Sequence, residues 1–227
     1  MASVSDLLGK VPFLAVLPPE DRERLATAIK HRRLARGQTI FHKDDPGRSL
    51  FFIEEGSVRL YLPSTQGSDL TLAILGAGDF FGEMALLDGG PRSASAVTTA
   101  DTVMLTLDHE DFTALIQSRP QSATAVLAAL ARRLREADEM ASDLAFLDVA
   151  GRLAKKLLDL AQAHGVRRER GTLLDLPLTQ EQLASMVGVT RESVNRQLAS
   201  FRRLGLIGNE GRRFLLLDPE GLRRYTG

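Results

Sequence analysis

The chain has 227 residues, enough for one large domain or two ordinary ones, and its 44% apolar and 26% charged content is that of a soluble globular protein. It has no cysteine, which excludes disulfides, zinc–thiolate centres and cysteine-ligated iron–sulfur clusters, and its four histidines (His31, His42, His109, His164) lack metal-ligand spacing. A net charge of zero hides an asymmetry. Residues 149–227 hold 14 Lys/Arg against 8 Asp/Glu, so of the chain's 29 and 29, residues 1–148 hold 15 and 21. An acidic front and a basic back predict a polyanion-binding C-terminal part joined to something else.

The N-terminal MASVSDLLGKVPF lacks the basic start and apolar core of a signal peptide. The longest apolar stretch, Ala123–Ala131, is far too short to span a bilayer. A cytoplasmic protein without membrane partners is expected. The first thirty residues read as helical, with Pro18-Pro19-Glu20-Asp21 opening one helix. From about residue 34 to 108 the chain is punctuated by Gly37, Gly47, Gly56, Gly67, Gly76, Gly78, Gly89 and Gly90. Between them lie short apolar or alternating runs: Gln38–Phe41, Leu50–Ile53, Ser57–Tyr61, Leu70–Leu75, Ala94–Thr98 and Thr102–Thr106. Strands at this spacing predict an antiparallel sandwich or jelly roll.

Within this region Gly76-Ala-Gly78-Asp-Phe-Phe-Gly82 superficially matches a dinucleotide fingerprint, but its third glycine is one residue late and no long helix follows. The next stretch is more informative. Gly82 permits a tight turn, and Glu83–Leu87 can form a short helix whose free N–H groups face an anion. Arg92 can pair with a phosphate, Ser93 can donate a hydroxyl hydrogen bond to it, and Glu83 can accept from a ribose hydroxyl. The alternative is a structural loop in which Glu83 and Arg92 bridge each other. No Ser/His/Asp or paired-carboxylate grouping suggests catalysis, so an enzyme is not expected.

After Asp111 the strand pattern stops. Ser122–Leu147 contains no Gly or Pro, and Leu127, Leu130, Leu134, Ala137, Ala141 and Leu144 recur at intervals of 3 and 4. That heptad seam predicts a long helix paired with a copy of itself, in preference to one packed on the chain's own sheet. A third segment follows, with a helix through Leu153–Ala163 and a polar basic loop at Gly165–Gly171.

Leu178–Phe201 then reads as two helices joined by a tight turn. Thr179 caps the first, whose Leu183, Met186 and Val187 share a face, and Ala184 is small where the helices approach. Gly188 suits a left-handed helix end, and Thr190 caps the second helix, with Val194 and Leu198 pointing inward. Arg191, Glu192, Ser193, Asn195 and Arg196 remain outward at its N-terminal end, where recognition helices read the major groove. Their joint placement favours DNA reading over a helical hairpin with a solvated charged face. Gln197 stands where such motifs often carry an apolar residue, which predicts looser packing. Leu206–Leu217, with Gly208-Asn209-Glu210-Gly211 at its tip, reads as a β-hairpin wing, and Arg212 and Arg213 are either phosphate contacts or plain surface.

In this order the parts resemble the cyclic-AMP receptor protein (CRP/FNR) family of bacterial regulators, over nearly the whole chain. The resemblance rests on Phe81-Gly-Glu-Met-Ala-Leu-Leu-Asp-Gly-Gly-Pro-Arg-Ser-Ala-Ser-Ala96, similar to the family's phosphate-binding cassette. It also rests on Ala145-Phe-Leu-Asp-Val-Ala-Gly-Arg152, similar to its hinge, and on Val187-Gly-Val-Thr-Arg-Glu-Ser-Val-Asn-Arg196, similar to its recognition helix. The resemblance implies an α+β fold: an antiparallel β-roll over residues 1–118, a dimerisation helix over 119–147, and a winged helix-turn-helix over 148–227. It implies a ligand set of Gly82, Glu83, Met84, Ala85, Arg92 and Ser93, with Arg133, Ala137 and Asp138 from the long helix.

The family's best-known cyclic-AMP pattern has a Thr-Ser pair at the positions of Ala137 and Asp138. Asp138 either accepts from adenine's exocyclic amine or belongs to a solvated acidic face. On DNA, Thr179, Gln180, Thr190, Arg191, Glu192, Ser193, Asn195, Arg196 and Arg212 are the implied contacts, with a TGTGA-like inverted repeat read by Arg191, Glu192 and Arg196. The implied protein is a homodimeric transcription regulator with cyclic AMP as effector, no metal, and RNA polymerase as a further partner. A ligand-independent regulator and a haem-based sensor are the alternatives.

Overall fold

Two helices, Pro12–Ala15 (α1) and Pro19–Ala28 (α2), open the computed structural model, which describes residues 8–9, 12–15, 17–64, 69–176, 178–211 and 213–227. Gly67 and Arg212 therefore lie outside the described residues. Pro18 is the residue before α2, and Glu20 and Asp21 sit in its first turn, where carboxylates suit the helix dipole.

Eight strands follow: Lys30–Leu34 (β1), Thr39–Phe41 (β2), Ser49–Glu55 (β3), Ser57–Leu62 (β4), Leu70–Gly76 (β5), Phe80–Phe81 (β6), Ser95–Thr98 (β7) and Thr102–Asp108 (β8). A short helix, Met84–Asp88 (α3), lies between β6 and β7. The strands form two four-stranded sheets, ordered β1-β8-β3-β6 and β2-β7-β4-β5. Pairs β1–β8, β3–β8, β3–β6, β2–β7 and β4–β7 are antiparallel.

The unbroken apolar run of β3 is explained by burial on both faces. Phe51 and Ile53 point between the sheets, packing with Val58, Leu75, Phe81, Ala96 and Met104. Leu50 and Phe52 point the other way, onto a second core built from α2, β8 and the helices that follow. Those are His109–Ser118 (α4) and the long helix Pro120–Phe146 (α5), whose Val126 and Ala129 are buried there. β1 and β6 were not legible as strands. β1 reads KHRRL and is almost wholly exposed, so it is held by its ladder to β8 rather than by an apolar face.

The remaining elements are Val149–His164 (α6), Gly165–Arg168 (β9), Gly171–Leu174 (β10), Gln180–Val187 (α7), Arg191–Arg203 (α8), Ile207–Glu210 (β11), Arg213–Leu216 (β12) and Pro219–Arg223 (α9). Their sheet runs β11-β12-β10-β9. The expected basic loop at Gly165–Gly171 is thus corrected to part of an antiparallel hairpin, in which Gly171 faces Arg168 and Leu173 faces Val166. All four β9 residues are exposed, so no apolar alternation marked it. By their contacts, Met1–Pro63 and Leu72–Arg135 form one unit, and Ser64–Thr71 and Glu136–Gly227 another, with α5 running from the first into the second.

Candidate functional site

In the first unit the cassette residues converge around a buried arginine. Gly82 has φ +85°, and a Cβ there would lie 2.6 Å from an Arg92 nitrogen, so glycine allows both the turn and the close approach. A Cβ on Gly47 would sit 2.3 Å from that of Ala85 and 3.2 Å from the guanidinium carbon. Arg92 is only 5% exposed. Its two terminal nitrogens donate to the carbonyls of Gly82 (2.8 Å) and Ser49 (2.9 Å), while its buried Nε has no hydrogen-bond partner. Its guanidinium lies 4.3 Å from the ring centre of Phe41 and 5.5 Å from that of Phe51. Burial pushes its pKa down, against the pull of Glu83 and Asp45.

Glu83 and Arg92 do not bridge each other. Glu83 is 2% exposed and its carboxylate accepts from Arg133 of α5, which also donates to the Phe80 carbonyl and lies over the Phe80 ring. Ala85 is buried, whereas Met84 is half exposed and its sulfur accepts from the Ser93 hydroxyl at 3.3 Å. Gly82, Glu83, Met84, Ala85, Arg92, Ser93 and Arg133 are therefore brought together. Ala137 and Asp138 lie exposed on α5. Sequence reasoning missed Phe41, Phe51 and the Ser49 carbonyl, none of which stands in a recognisable pattern. The buried guanidinium, with no carboxylate in ion-pair contact among the described residues, makes this a site suited to an anion.

In the second unit the two-helix motif is closed by local chemistry. Thr179 and Gln182 form a reciprocal capping box on α7, and Gly188 ends that helix at φ +66°. Arg152 of α6 donates to the Val187 carbonyl at 3.0 Å, satisfying an end of α7 that lacks an intrahelical partner. Thr190 caps α8 through the Ser193 N–H and lies 3.1 Å from the Ser193 hydroxyl.

Val194, Leu198 and Phe201 are fully enclosed with Leu183, Ala184 and Val187. Gln197 is half-buried beside them. Arg191, Glu192 and Arg196 are exposed on α8, Ser193 and Asn195 half-buried; Thr179 is exposed and Gln180 half-buried at the start of α7. In the wing, Arg202 of α8 donates to Asn209 at 3.0 Å, and Arg213 pairs with Asp175 at 2.6 Å. Along α5, Leu127 and Leu134 are exposed, Leu130 is partly buried against its own unit's core, and Ala137, Ala141 and Leu144 are exposed. Among the described residues no helix is long and apolar enough to cross a membrane.

A β-roll around a buried-arginine cassette, followed by a long helix and a winged helix-turn-helix, defines a class of DNA-binding regulators. Residues 31–119 match the cyclic nucleotide-binding domain and residues 151–225 the Crp-like helix-turn-helix domain. The chain belongs to the CRP/FNR family of transcription regulators. It is 35% identical over 221 residues to the CRP-like cAMP-activated global transcriptional regulator of Mycobacterium tuberculosis (strain H37Rv), covering 97% of this chain and 99% of that one. To the cyclic AMP receptor protein of Thermus thermophilus it is 39% identical over 196 residues, covering 86% and 88%. Among solved structures, the c-di-GMP responsive global regulator CLP of Xanthomonas campestris superposes with a TM-score of 0.78 at 28% identity, covering 88% of this chain and 99% of that one. A CooA variant from Carboxydothermus hydrogenoformans gives 0.76 at 26%, covering 88% and 89%.

Proposed function

We propose that this DNA-binding regulator acts as a homodimer in the cytoplasm, binds cyclic AMP in its β-roll, and reads a TGTGA-like inverted repeat. The observation that carries the effector reading is Arg92, a cation 5% exposed, without an ion-pair partner among the described residues and with Nε unbonded. An uncompensated buried charge is costly, and a cyclic phosphodiester supplies the missing single negative charge. Glu83, held by Arg133, keeps acceptor capacity for a ribose hydroxyl, and Ser93 can turn from Met84 to a phosphate oxygen. The relatives whose names carry cyclic AMP, one as cAMP-activated and one as its receptor, support that nucleotide.

The working division is an effector part over 1–118, a pairing helix over 119–147 and a DNA reader over 148–227. Ligand binding shifts a population between two arrangements of the paired helices. The favoured one places both recognition helices about 34 Å apart, in successive major grooves. Arg196 and Arg191 each hold a guanine and Glu192 a cytosine, while Thr179, Gln180, Thr190 and Arg212 meet phosphates. RNA polymerase is the further partner through which transcription responds.

Calorimetric titration of nucleotide-free protein with cyclic AMP tests the effector. The wild type binds, and Arg92→Leu loses about thirtyfold or more in affinity, as for a lost buried charge partner worth about 2–5 kcal/mol. Full response in Arg92→Leu would make the cassette structural.

A further inference from the structure

Arg92 enters the site with an unusual set of neighbours. No carboxylate among the described residues is within ion-pair distance of it, and its two bonded nitrogens are spent on backbone carbonyls. Neutral carbonyls orient a guanidinium but do not cancel its charge. What faces its π-surface is aromatic: Phe41 at 4.3 Å, then Phe51 at 5.5 Å. These two rings and Phe81 form a cluster with centroid separations of 5.8, 5.9 and 5.1 Å, Phe51 and Phe81 being stacked. Phe41 is only partly buried, at the end of β2, whereas Phe51 and Phe81 are enclosed in the inter-sheet core. Phe41 therefore lies at the edge of that core, between its rings and Arg92.

We infer that Phe41 is a positioning residue for the anion site: its π-face holds the Arg92 guanidinium in one plane, so that its remaining terminal N–H groups are set for a phosphate oxygen of the ligand. This rests on the cyclic-nucleotide reading given above and deepens it.

The effect is preorganisation. A guanidinium held by carbonyls alone populates other orientations, and apparent affinity falls with the fraction that is competent. The negative face of a phenyl ring, desolvated as here, is strong enough to shift that population by roughly ten- to thirtyfold. The ring stays under the cation when ligand arrives, because the phosphate approaches the guanidinium edge and not its face.

Full-length protein carrying 4-fluoro-, 3,5-difluoro- or 3,4,5-trifluorophenylalanine in place of Phe41 separates this role from simple packing. Fluorination drains the π-face while nearly preserving shape. Cyclic-AMP affinity, measured by calorimetry, should fall stepwise with each fluorine, to about a tenth or less at the third, while the circular-dichroism spectrum of ligand-free protein stays that of the wild type and its melting temperature drops by only a few degrees. Phe41→Tyr should bind as wild type, and Phe41→Leu should fall with the trifluoro protein. In 15N-resolved spectra the Arg92 Nε–H should show an upfield ring-current shift that persists at cyclic-AMP saturation and shrinks in Phe41→Leu to what Phe51 leaves.

Wild-type affinity across the fluorinated series, tighter binding in it, or loss of the ring-current shift on ligand binding would each overturn the inference while leaving the nucleotide reading intact. Absence of cyclic-AMP binding to the wild type would instead remove the nucleotide reading and this inference with it.

Discussion

Replacing Leu134 by aspartate probes whether the exposed stripe of α5 meets a second copy of the chain. In the single chain Leu127 is 64% exposed, Leu134 63% and Leu144 43%. Complete burial of a leucine side chain is worth about 1.5–3 kcal/mol. Covering what these three leave open therefore contributes about 3–4 kcal/mol per chain, or about 7 kcal/mol for a symmetric pair. That offsets the lower part of the roughly 4–15 kcal/mol that association costs, so the seam is a major term.

Leu134 supplies about a third of it. Leu134→Asp forfeits about 2.5 kcal/mol across the pair, and burying two carboxylates costs several kcal/mol each. A loss of at least about 5 kcal/mol follows, on the order of four decades in the dimer dissociation constant. Leu134→Ala, which loses only part of the apolar term, should cost at most about two decades. Sedimentation equilibrium at micromolar protein should find Leu134→Asp monomeric, and anisotropy should find its operator affinity lost in step. Each unit should still melt as in the wild type, because the side chain is mostly exposed within its own chain. A Leu134→Asp protein that sediments as an intact dimer would refute the seam.

Arg196→Ala should flatten base preference in operator selection while leaving salt-dependent nonspecific binding largely in place, at a cost of about 1–3 kcal/mol for the cognate site; enrichment of an unrelated, non-palindromic motif by the wild type would sink the half-site. Asp138→Ala should erode the preference for cyclic AMP over cyclic GMP in paired titrations, since an ionised carboxylate accepts from adenine's amine and opposes guanine's oxygen; an unchanged preference would return Asp138 to the solvated face. Hydrogen bonds from Lys30 and Ser49 hold the Asp108 carboxyl below its ordinary value of 3.8. A lowered folded-state pKa gives stability that is present above the unfolded value and lost as pH falls through the folded one. Asp108→Asn should therefore melt lower than wild type at pH 7, with the gap closing below pH 4; a gap independent of pH would contradict this.

What the sequence determined by itself is local. Thr179 and Thr190 cap the helices they precede, Gly188 takes the left-handed turn, and the Ala184 contact closes the motif, because capping and backbone sterics act within a few residues. The glycine-spaced strands of the roll were legible as short apolar or alternating runs bounded by turn residues. Elements lacking an apolar signal were not. β1 and β9 are exposed and basic, and exist because a neighbouring strand offers them a ladder.

The candidate site divides along the same line. Gly82, Glu83, Arg92 and Ser93 stand together in one segment, so their chemistry could be read as a group. Which partner each takes could not. Glu83 might equally have met Arg92, nine residues on; instead Arg133, fifty residues on, reaches it from α5. Arg92 turns to Ser49, forty-three residues back, and to the rings of Phe41 and Phe51. Charge and hydrogen-bonding capacity belong to the residue, but pairing depends on which segments the two packed sheets and the long helix bring within about 3 Å, and that is decided only when the chain folds.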